Sequence, residues 1–257
     1  AMKKTFKLIA LLSMLFVPVL LFTQTLPKTL DVHEKNGKVT RFPLENIDKI
    51  TIGGPQIAWT ENIAKDGDGN IYQVVKIGHQ MWLASNLRTT KYNDGTPIQN
   101  VITGADWTKT RTGAYCWYNN DVANKEDYGA LYNWKTVSSG KLCPKGWRVP
   151  GDEDWTVLIN YLGGEEGAAY KIKETGTDHW LGTNALVTNS SGFTALPGGY
   201  RDYSGQFDRQ GSIGYWWTST EENPGNAWCR SVFENYDEVY GSWTNKNFGY
   251  SVRCIKD

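Results

Sequence analysis

Residues 65–88, KDGDGNIYQVVKIGHQMWLASNLR, open with oxygen-bearing side chains at alternate positions. Asp66, Asp68 and Asn70 are spaced like the first ligands of an EF-hand calcium loop. Such a loop also needs glycine at its sixth position and glutamate at its twelfth, but this chain has Ile71 and Ile77 there. We therefore predict a structural turn at this place, and no metal site.

Residues suited to acid–base or nucleophilic chemistry are scattered along the chain. The three histidines, His33, His79 and His179, lie far apart, and no Gly-x-Ser-x-Gly segment marks a serine nucleophile. His79 falls between two alternating segments, where a solvated turn residue is expected. Because no coherent catalytic constellation is present, we expect a protein that is not an enzyme and that needs no cofactor.

The charge balance bears on the class of partner. The chain has 27 basic and 27 acidic residues, so it has no excess of the cations that bind phosphates. We therefore expect no nucleic-acid partner. The 12 tryptophans, 14 tyrosines and 27 glycines favour a fold of short strands and many turns over a helical bundle.

The first 24 residues have the plan of a secretory signal peptide. Lys3, Lys4 and Lys7 precede an apolar run from Leu8 to Phe22, which at 15 residues is shorter than a membrane span. No cysteine follows this run directly, so a lipid anchor is not expected. We predict an exported protein, located outside the cell or on its outer surface or in the periplasm, with no membrane span in the mature chain.

Export changes the interpretation of the four cysteines, Cys116, Cys143, Cys229 and Cys254. None forms a Cys-x-x-Cys pair, so a zinc site is not expected. In an oxidising compartment the expectation is two disulfides. Four cysteines allow three pairings, and the residues alone leave all three open.

Local patterns predict the elements that must position these residues. Residues 25–60 form a small unit of short strands with a linker, and Asn36-Gly37 marks a hairpin turn. Residues 61–257 form one domain, which begins with a hairpin that turns at Gly78-His79. Trp216 and Trp217 are consecutive, so in a strand one is expected to point inward and the other outward.

Two segments have helical spacing. The clearer is residues 150–164, PGDEDWTVLINYLGG, in which apolar side chains recur at i, i+3, i+4 and i+7. The second is residues 128–137, YGALYNWKTV, and a further short helix is expected within residues 165–174. Two helices followed by a half that is rich in strands and loops indicate an α+β fold.

The domain resembles the Fibrobacter succinogenes major paralogous domain family, FISUMP, from about Asp66 to Asp257. The resemblance rests on seven segments in order: QMWLASNLR, YCWYNND, YGALYNW, LCPKGWRVPGDEDWTVL, GFTALPGGYR, GYWWTSTE and GYSVRCIKD. It implies a C-type-lectin-like fold with two helices, small antiparallel sheets and a long loop region. It also implies a Cys143–Cys254 bridge, which leaves Cys116 with Cys229; Cys116–Cys143 is the main rival.

The ligand is expected in the loop region between about residues 176 and 228. A glycine-rich stretch offers exposed aromatic and charged side chains, with Arg201 also a candidate for a structural role because GGYR is part of the family pattern. Around Pro224, acidic and amide side chains offer oxygens of the kind that hold calcium in sugar-binding lectins. The lectin order Glu-Pro-Asn is absent, however, and the favoured interpretation is a Pro-Gly turn between strands. The candidate ligand-binding residues are Arg201, Asp202, Tyr203, Phe207, Asp208, Glu222 and Asn226.

The favoured hypothesis is an exported, non-catalytic recognition module that binds a glycan or a protein surface through these loops. The alternative is a structural or assembly component of the bacterial cell envelope, with residues 25–60 adding a strand to a partner. An enzyme of unknown type is a third hypothesis, and bound calcium is a possible addition to the first.

Overall fold

The structure is a computed structural model that describes residues 29–33, 39–43, 63–182 and 185–257. The chain divides into two compact units, Ala1–Ala58 and Trp59–Asp257. Among the described residues, no helix combines the length and apolar character needed to cross a membrane. The predicted signal peptide, residues 1–24, lies outside the described residues.

The first unit contains one described pair of strands. Strand β1 (Thr29–His33) pairs antiparallel with β2 (Val39–Pro43), from Thr29 opposite Pro43 to His33 opposite Val39. The pairing agrees with the hairpin predicted around Asn36-Gly37, although the turn itself and residues 44–60 lie outside the described residues.

The second unit is built from short strands and shorter helices. Its described strands are β3 (Ile63–Lys65), β4 (Ile71–Ile77), β5 (Gln80–Leu83), β6 (Gln99–Asn100), β7 (Ala114–Cys116), β8 (Leu131–Tyr132), β9 (Trp147–Arg148), β10 (Gly198–Arg201), β11 (Phe207–Gln210), β12 (Ile213–Asn223), β13 (Asn226–Phe233), β14 (Tyr240–Asn245) and β15 (Ile255–Lys256). Its described α-helices are α1 (Gly104–Lys109), α2 (Asn124–Tyr128), α3 (Trp134–Val137), α4 (Asp152–Tyr161) and α5 (Ala168–Ile172).

The strands form three sheets, which confirms the α+β class. Sheet I has the order β3-β4-β5-β15-β9, sheet II the order β11-β10-β12-β13-β14, and sheet III the order β6-β7-β8. Most neighbours are antiparallel, but β10 pairs parallel with β12, and β6 pairs parallel with β7. Sheet I brings together strands from both ends of the domain, because β15 lies between β5 and β9.

The acidic run at residues 66–70 is a turn, as predicted. Asp66 is buried, and its carboxylate accepts hydrogen bonds from the backbone amides of Asp68 (3.0 Å) and Asn70 (2.9 Å) and from the hydroxyl of Tyr72 (2.5 Å). The Asp68 carboxylate accepts from the side chain (2.9 Å) and the backbone amide of Thr90. Both carboxylates therefore satisfy amides and hydroxyls of the turn and of the segment beside it.

The hairpin that follows is β4–β5, with Ile77 opposite Gln80. Alternate residues of β4 are buried: Tyr72 and Val74 point inward, whereas Ile71 is 53% exposed. The connecting Gly78 has a φ of 63°, which glycine adopts without the steric cost of a Cβ atom.

Helix α4 confirms the prediction made from the spacing of its apolar residues. Trp155, Leu158 and Ile159 are buried on its inner face. At its start, the backbone amide of Gly151 donates to the Asp154 carboxylate (2.7 Å). This carboxylate provides an acceptor for one of the amides that have no partner within the helix. The short helix predicted within residues 165–174 is α5.

The helix predicted over residues 128–137 is only partly correct. Leu131 and Tyr132 form strand β8, and helix α3 begins after Asn133. The Asn133 side-chain oxygen accepts from the backbone amides of Ala114 (3.0 Å) and Thr136 (3.1 Å), so it ties strand β7 to the start of the helix. The expectation of two helices is likewise wrong, because the described residues include five short ones.

The cysteines form one disulfide. Cys143 is bonded to Cys254, 111 residues away, which confirms the pairing implied by the resemblance. The second expected bridge is wrong, because Cys116 and Cys229 are free thiols. Cys116 belongs to a small core cluster with Trp107 and Leu131, whereas Cys229 lies in the main cluster with its sulfur 3.3 Å from the Ser242 hydroxyl. The rival Cys116–Cys143 pairing is excluded by the bond to Cys254.

The paired tryptophans of β12 are both buried, contrary to prediction. The Trp216 indole donates to the Asn86 side chain (2.8 Å), and the Trp217 indole donates to the Tyr132 carbonyl (2.7 Å). At this point sheet II is covered on both faces, so consecutive residues are both removed from solvent. Trp134 and Trp155 lie in the core, as predicted.

Candidate functional site

The glycine-rich segment expected to be a loop is a β-hairpin. Strands β10 and β11 pair antiparallel, with Tyr200 opposite Asp208 and Arg201 opposite Phe207. The wider region of residues 176–228 also contains β12 and the start of β13. The expectation of one long loop is therefore wrong. Arg201, Phe207, Asp208, Glu222 and Asn226 lie on strands, and Asp202 and Tyr203 lie in the turn between β10 and β11.

Arg201 is buried at 1% exposure and holds the hairpin in place. Its guanidinium donates to the carbonyls of Val101 (2.6 Å), Ile102 (2.9 Å) and Gly205 (3.1 Å). It also lies over the rings of Trp107, at 4.6 Å, and Phe207, at 4.7 Å. Arg201 and Phe207 thus form part of the support behind the hairpin.

Three other candidates lie at the exposed end of this hairpin. Asp202 shapes the turn, since its carboxylate accepts from the backbone amides of Ser204 (2.8 Å) and Gln206 (2.9 Å). Tyr203 is 57% exposed, and Asp208 is exposed on β11.

Glu222 and Asn226 lie elsewhere, at the β12–β13 turn. The Glu222 carboxylate accepts from the indole of Trp228 (2.6 Å), and the Asn226 amide donates to the side chain of Asn223 (3.0 Å). The predicted Pro-Gly turn at Pro224 is present. This turn is seven residues along β12 from Tyr215, or roughly 20 Å at strand spacing. The sequence-predicted candidates therefore belong to two separate places.

The β10–β11 end opens onto an array of aromatic rings that crosses sheet II. We call it the aromatic strip, and it consists of Tyr200, Tyr203, Tyr215, Phe233, Tyr236, Tyr240 and Phe248. Four of the rings come from four neighbouring strands, β10, β12, β13 and β14, one from each. The remaining three come from the connections between strands.

Ring contacts run along the strip without a break. The centroid distances are 5.8 Å for Tyr203–Phe248, 5.8 Å for Phe248–Tyr200, 5.5 Å for Tyr200–Tyr215, 6.5 Å for Tyr215–Phe233, 5.4 Å for Phe233–Tyr240 and 5.6 Å for Phe233–Tyr236. Several neighbours stand nearly perpendicular, at 87° for Tyr200–Tyr215 and 90° for Phe233–Tyr240. Edge-to-face contacts of this kind are favourable and fix the ring orientations.

The strip is open to solvent. Tyr203 and Tyr236 are 57% and 55% exposed, and the other five rings are half-buried. Five of the seven side chains are tyrosines, so the surface offers hydroxyl groups as well as apolar ring faces. A contiguous aromatic surface of this kind on a folded domain marks an interaction site more often than a scattered exposed residue does.

Buried side chains hold the strip from below. Tyr250 is 4% exposed and stacks on Tyr215, with centroids 4.7 Å apart and ring planes 8° apart. Lys173 is 1% exposed, and its ammonium donates to the carbonyls of Phe233 (3.0 Å), Glu234 (3.0 Å) and Tyr236 (2.8 Å). Burial lowers the pKa of Lys173 to about 8. The connection that carries Tyr236 is therefore fixed by a buried cation.

Carboxylates flank both ends of the strip. The Tyr200 hydroxyl donates to Asp208 (3.4 Å), and burial followed by the negative charge of Asp208 raises the pKa of Tyr200. At the other end, a hydrogen bond to the Glu238 carboxylate is the main cause that raises the pKa of Tyr240 to about 12. Burial raises the pKa of Tyr215, between them, to about 12.

The histidines do not join this surface. His179 forms a pair with Glu174, its Nδ1 lying 2.8 Å from the carboxylate, and its ring stands edge-on to Tyr128. His79 lies in the β4–β5 turn. Within the described part of the chain, no three histidine, cysteine, aspartate or glutamate side chains are grouped as metal ligands.

Sequence reasoning identified Tyr203 and Asp208 but missed most of the strip. Tyr200, Tyr215, Phe233 and Tyr240 are spread over 41 residues of the chain and meet only because of strand order and register. The signal that could have located them is an aromatic residue at one position in each of four successive strand patterns. The pairing of β10 with β12, which aligns the first two, is not visible in a single sequence.

The fold and this surface define an α+β domain, closed by one disulfide, with an exposed aromatic face on one sheet. The profile of the Fibrobacter succinogenes major domain family matches residues 75–256, and the chain belongs to this family. No curated protein and no solved structure matches the chain.

Proposed function

We propose that this domain is an exported, non-catalytic recognition module that binds a glycan through the aromatic strip. The observation that carries the proposal is the unbroken series of rings on a solvated sheet face, fixed from below by Tyr250 and Lys173. The proposal includes a C-type-lectin-like fold for the domain. Its support is the α+β class and the Cys143–Cys254 bridge, which ties a loop before α4 to the segment that leads into β15.

The chemistry of the strip suits a sugar chain. The carbon-bound hydrogens of a sugar ring pack against an aromatic face, and the hydroxyls at the ring edge need hydrogen-bond partners. The strip offers both, with apolar faces beside tyrosine hydroxyls and the carboxylates of Asp208 and Glu238.

The placement of the carboxylates supports binding without hydrolysis. Asp208 lies on β11 and Glu238 shortly before β14, so four strand spacings separate them, or about 19 Å. Glycoside hydrolases place their two carboxyl groups about 5–10 Å apart. The carboxylates at the two ends of the strip are therefore placed to bind hydroxyl groups and not to attack one glycosidic bond together.

Export is supported by the disulfide, which persists in oxidising compartments. The predicted signal peptide at residues 1–24 and a place outside the cell or on its outer surface complete the proposal. The partner is then a glycan that the protein meets after it has left the cytoplasm.

Glycan arrays and affinity electrophoresis with soluble polysaccharides test this function on the purified, oxidised full chain. The double variant Tyr203→Ala/Tyr236→Ala removes the two most exposed rings of the strip and should weaken binding at least about tenfold, which corresponds to about 1.4 kcal/mol. The matched control is Tyr161→Ala/Trp243→Ala, which removes two exposed rings outside the strip and should leave binding unchanged.

Circular dichroism and thermal unfolding establish that both double variants keep the fold. An array that stays blank at high protein concentration contradicts the proposal. Equal loss of binding in the strip variant and the control variant contradicts it as well, because the site would then lie elsewhere.

A further inference from the structure

The charges around the aromatic strip indicate the class of glycan, an inference that rests on the proposed function. We infer that the ligand is a neutral polysaccharide, and that Asp208 and Glu238 exclude chains that carry carboxylate or sulfate groups. The inference follows from the sign and accessibility of the ionisable groups at the two ends of the strip.

The β10–β11 end carries an excess of negative charge. Asp202 and Asp208 both act on the Tyr200 hydroxyl, and both raise its pKa. The nearby cation is Arg209, which lies 3.6 Å from Asp208 and is thereby paired. The two side chains of that pair are 57% and 59% exposed, so Asp208 stands where a ligand would pass. Arg201 also lies under this hairpin, but it is 1% exposed and its guanidinium donates to three backbone carbonyls. Among the accessible charges, an anionic sugar arriving here therefore meets one carboxylate more than Arg209 neutralises.

The β14 end is acidic, because the charged groups that act on the Tyr240 hydroxyl are the carboxylates of Glu238 and Asp237. Glu238 accepts the Tyr240 hydroxyl, and Asp237 adds a second negative charge that also raises the pKa of Tyr240. The cation beneath this end is Lys173, but it is 1% exposed and its ammonium is directed at three backbone carbonyls. Its charge therefore stabilises the chain beneath the strip and does not attract a ligand above it.

The same carboxylates favour neutral sugars. An ionised carboxylate accepts hydrogen bonds and donates none, so it pairs well with the hydroxyl groups that line the edge of a hexose or pentose ring. One Asp208 oxygen accepts from the Arg209 backbone amide (2.8 Å). The other holds two long contacts, 3.4 Å to the Tyr200 hydroxyl and 3.6 Å to the Arg209 guanidinium, which leaves acceptor capacity on that oxygen. Like charges brought together at such a surface repel, and the repulsion is screened by salt.

The test measures binding of the purified full chain to a neutral polysaccharide, mixed-linkage β-glucan or xyloglucan, and to two acidic ones, polygalacturonate and chondroitin sulfate. At low salt, the acidic chains should bind at least about tenfold more weakly than the better neutral chain. The difference in affinity between neutral and acidic chains should become smaller at high salt, because screening weakens the repulsion between exposed charges. This salt dependence is measured on the unaltered protein, so it does not depend on the folding of any variant.

The variant Asp208→Asn/Glu238→Gln removes two negative charges at the strip. The ratio of the affinity for the neutral chain to that for the acidic chains, which measures discrimination, should fall by several-fold or more. The control Glu153→Gln/Glu165→Gln removes the same charge from exposed positions outside the strip and should leave discrimination unchanged. Near-ultraviolet circular dichroism establishes that both variants keep their packing.

The two proposals fail in different ways. Acidic chains that bind as tightly as neutral ones, and lose binding with Tyr203→Ala/Tyr236→Ala, overturn the inference on charge and leave the glycan function standing. Binding to no polysaccharide, or binding that survives the strip substitutions, overturns both. A control variant that relaxes discrimination as much as the strip variant also overturns the inference, because net charge alone would then explain it.

Discussion

Two arginines of this domain are almost fully removed from solvent, and backbone carbonyls hold each of them. Arg201 donates to three carbonyls beneath the aromatic strip. Arg253, at 0% exposure, donates to the carbonyl of Leu83 (3.0 Å), to that of Phe193 and to the side chain of Asn86, and burial lowers its pKa to about 9. Because a buried charge is costly unless it is fully hydrogen-bonded, these arginines fix the segments whose carbonyls they bind.

Arg201→Lys keeps the charge and removes the planar fork that reaches the carbonyls of Val101, Ile102 and Gly205. We expect a loss of about 2–3 kcal/mol in the free energy of unfolding, measured by denaturant titration. The control is Arg209→Lys, whose side chain is 57% exposed and should change stability by less than about 0.5 kcal/mol. Equal effects for the two variants would show that the contacts of Arg201 do not stabilise the fold.

At the scale of single residues, the sequence predicts only part of the candidate site. Tyr203 and Asp208 were predicted because aromatic and charged residues stand together among glycines, and both lie at the strip. Arg201 was named for the same reason, but its neighbour across the fold is Trp107, 94 positions earlier in the chain. Local composition therefore identifies the segment, and long-range packing decides which of its side chains face solvent.

Among the elements, the β4–β5 hairpin depends on the turn that precedes it. The buried carboxylate of Asp66 accepts hydrogen bonds from two backbone amides of the turn and from the Tyr72 hydroxyl. The oxygens that resemble calcium ligands in the sequence are thereby occupied by protein donors. The turn positions β4. Strand β4 pairs with β5, and β5 pairs in turn with β15.

Asp66→Ala leaves two backbone amides and the buried Tyr72 hydroxyl without their acceptor. We expect a loss of about 2–3 kcal/mol in the free energy of unfolding, from denaturant titration. Asp121→Ala is the control, since its carboxylate accepts one exposed turn amide, that of Ala123, and should cost less. If calcium addition raised the melting temperature of the unaltered protein but not of Asp66→Ala, the interpretation as a structural turn would be wrong.

Helix α4 and the β4–β5 hairpin were predictable because their patterns are local. The spacing of Trp155, Leu158 and Ile159 defines one helix face, and alternation defines the hairpin. The segment around Asn133 was not predictable in this way, because its conformation follows from a hydrogen bond to Ala114 on another strand.

At the scale of the whole molecule, the domain is closed by contacts between residues distant in the chain. The Cys143–Cys254 bridge encloses 111 residues, and β15 pairs with β5 on one side and β9 on the other. The backbone amide of Leu83 also donates to the Cys254 carbonyl (3.0 Å). The bridge and the strand thus reinforce the same junction.

Cys143→Ser/Cys254→Ser should lower the free energy of unfolding by about 4–5 kcal/mol, the loop-entropy effect of a bridge across about 110 residues. Thermal and denaturant unfolding measure the loss. Alkylation provides the control on pairing, because the native protein should resist a thiol reagent and the unfolded, unreduced protein should be modified at Cys116 and Cys229 only. Labelling at Cys143 or Cys254 before reduction would contradict the assigned bridge.

The position of β15 between β5 and β9 has a consequence for biosynthesis. A nascent polypeptide that has not yet reached residue 256 lacks the partner sulfur for Cys143, the guanidinium of Arg253 and the middle strand of sheet I. Contacts between residues so far apart in the chain form slowly, so the domain closes late in its folding. Until residues 254–256 are available, sheet I consists of two separate parts, one ending at β5 and the other formed by β9.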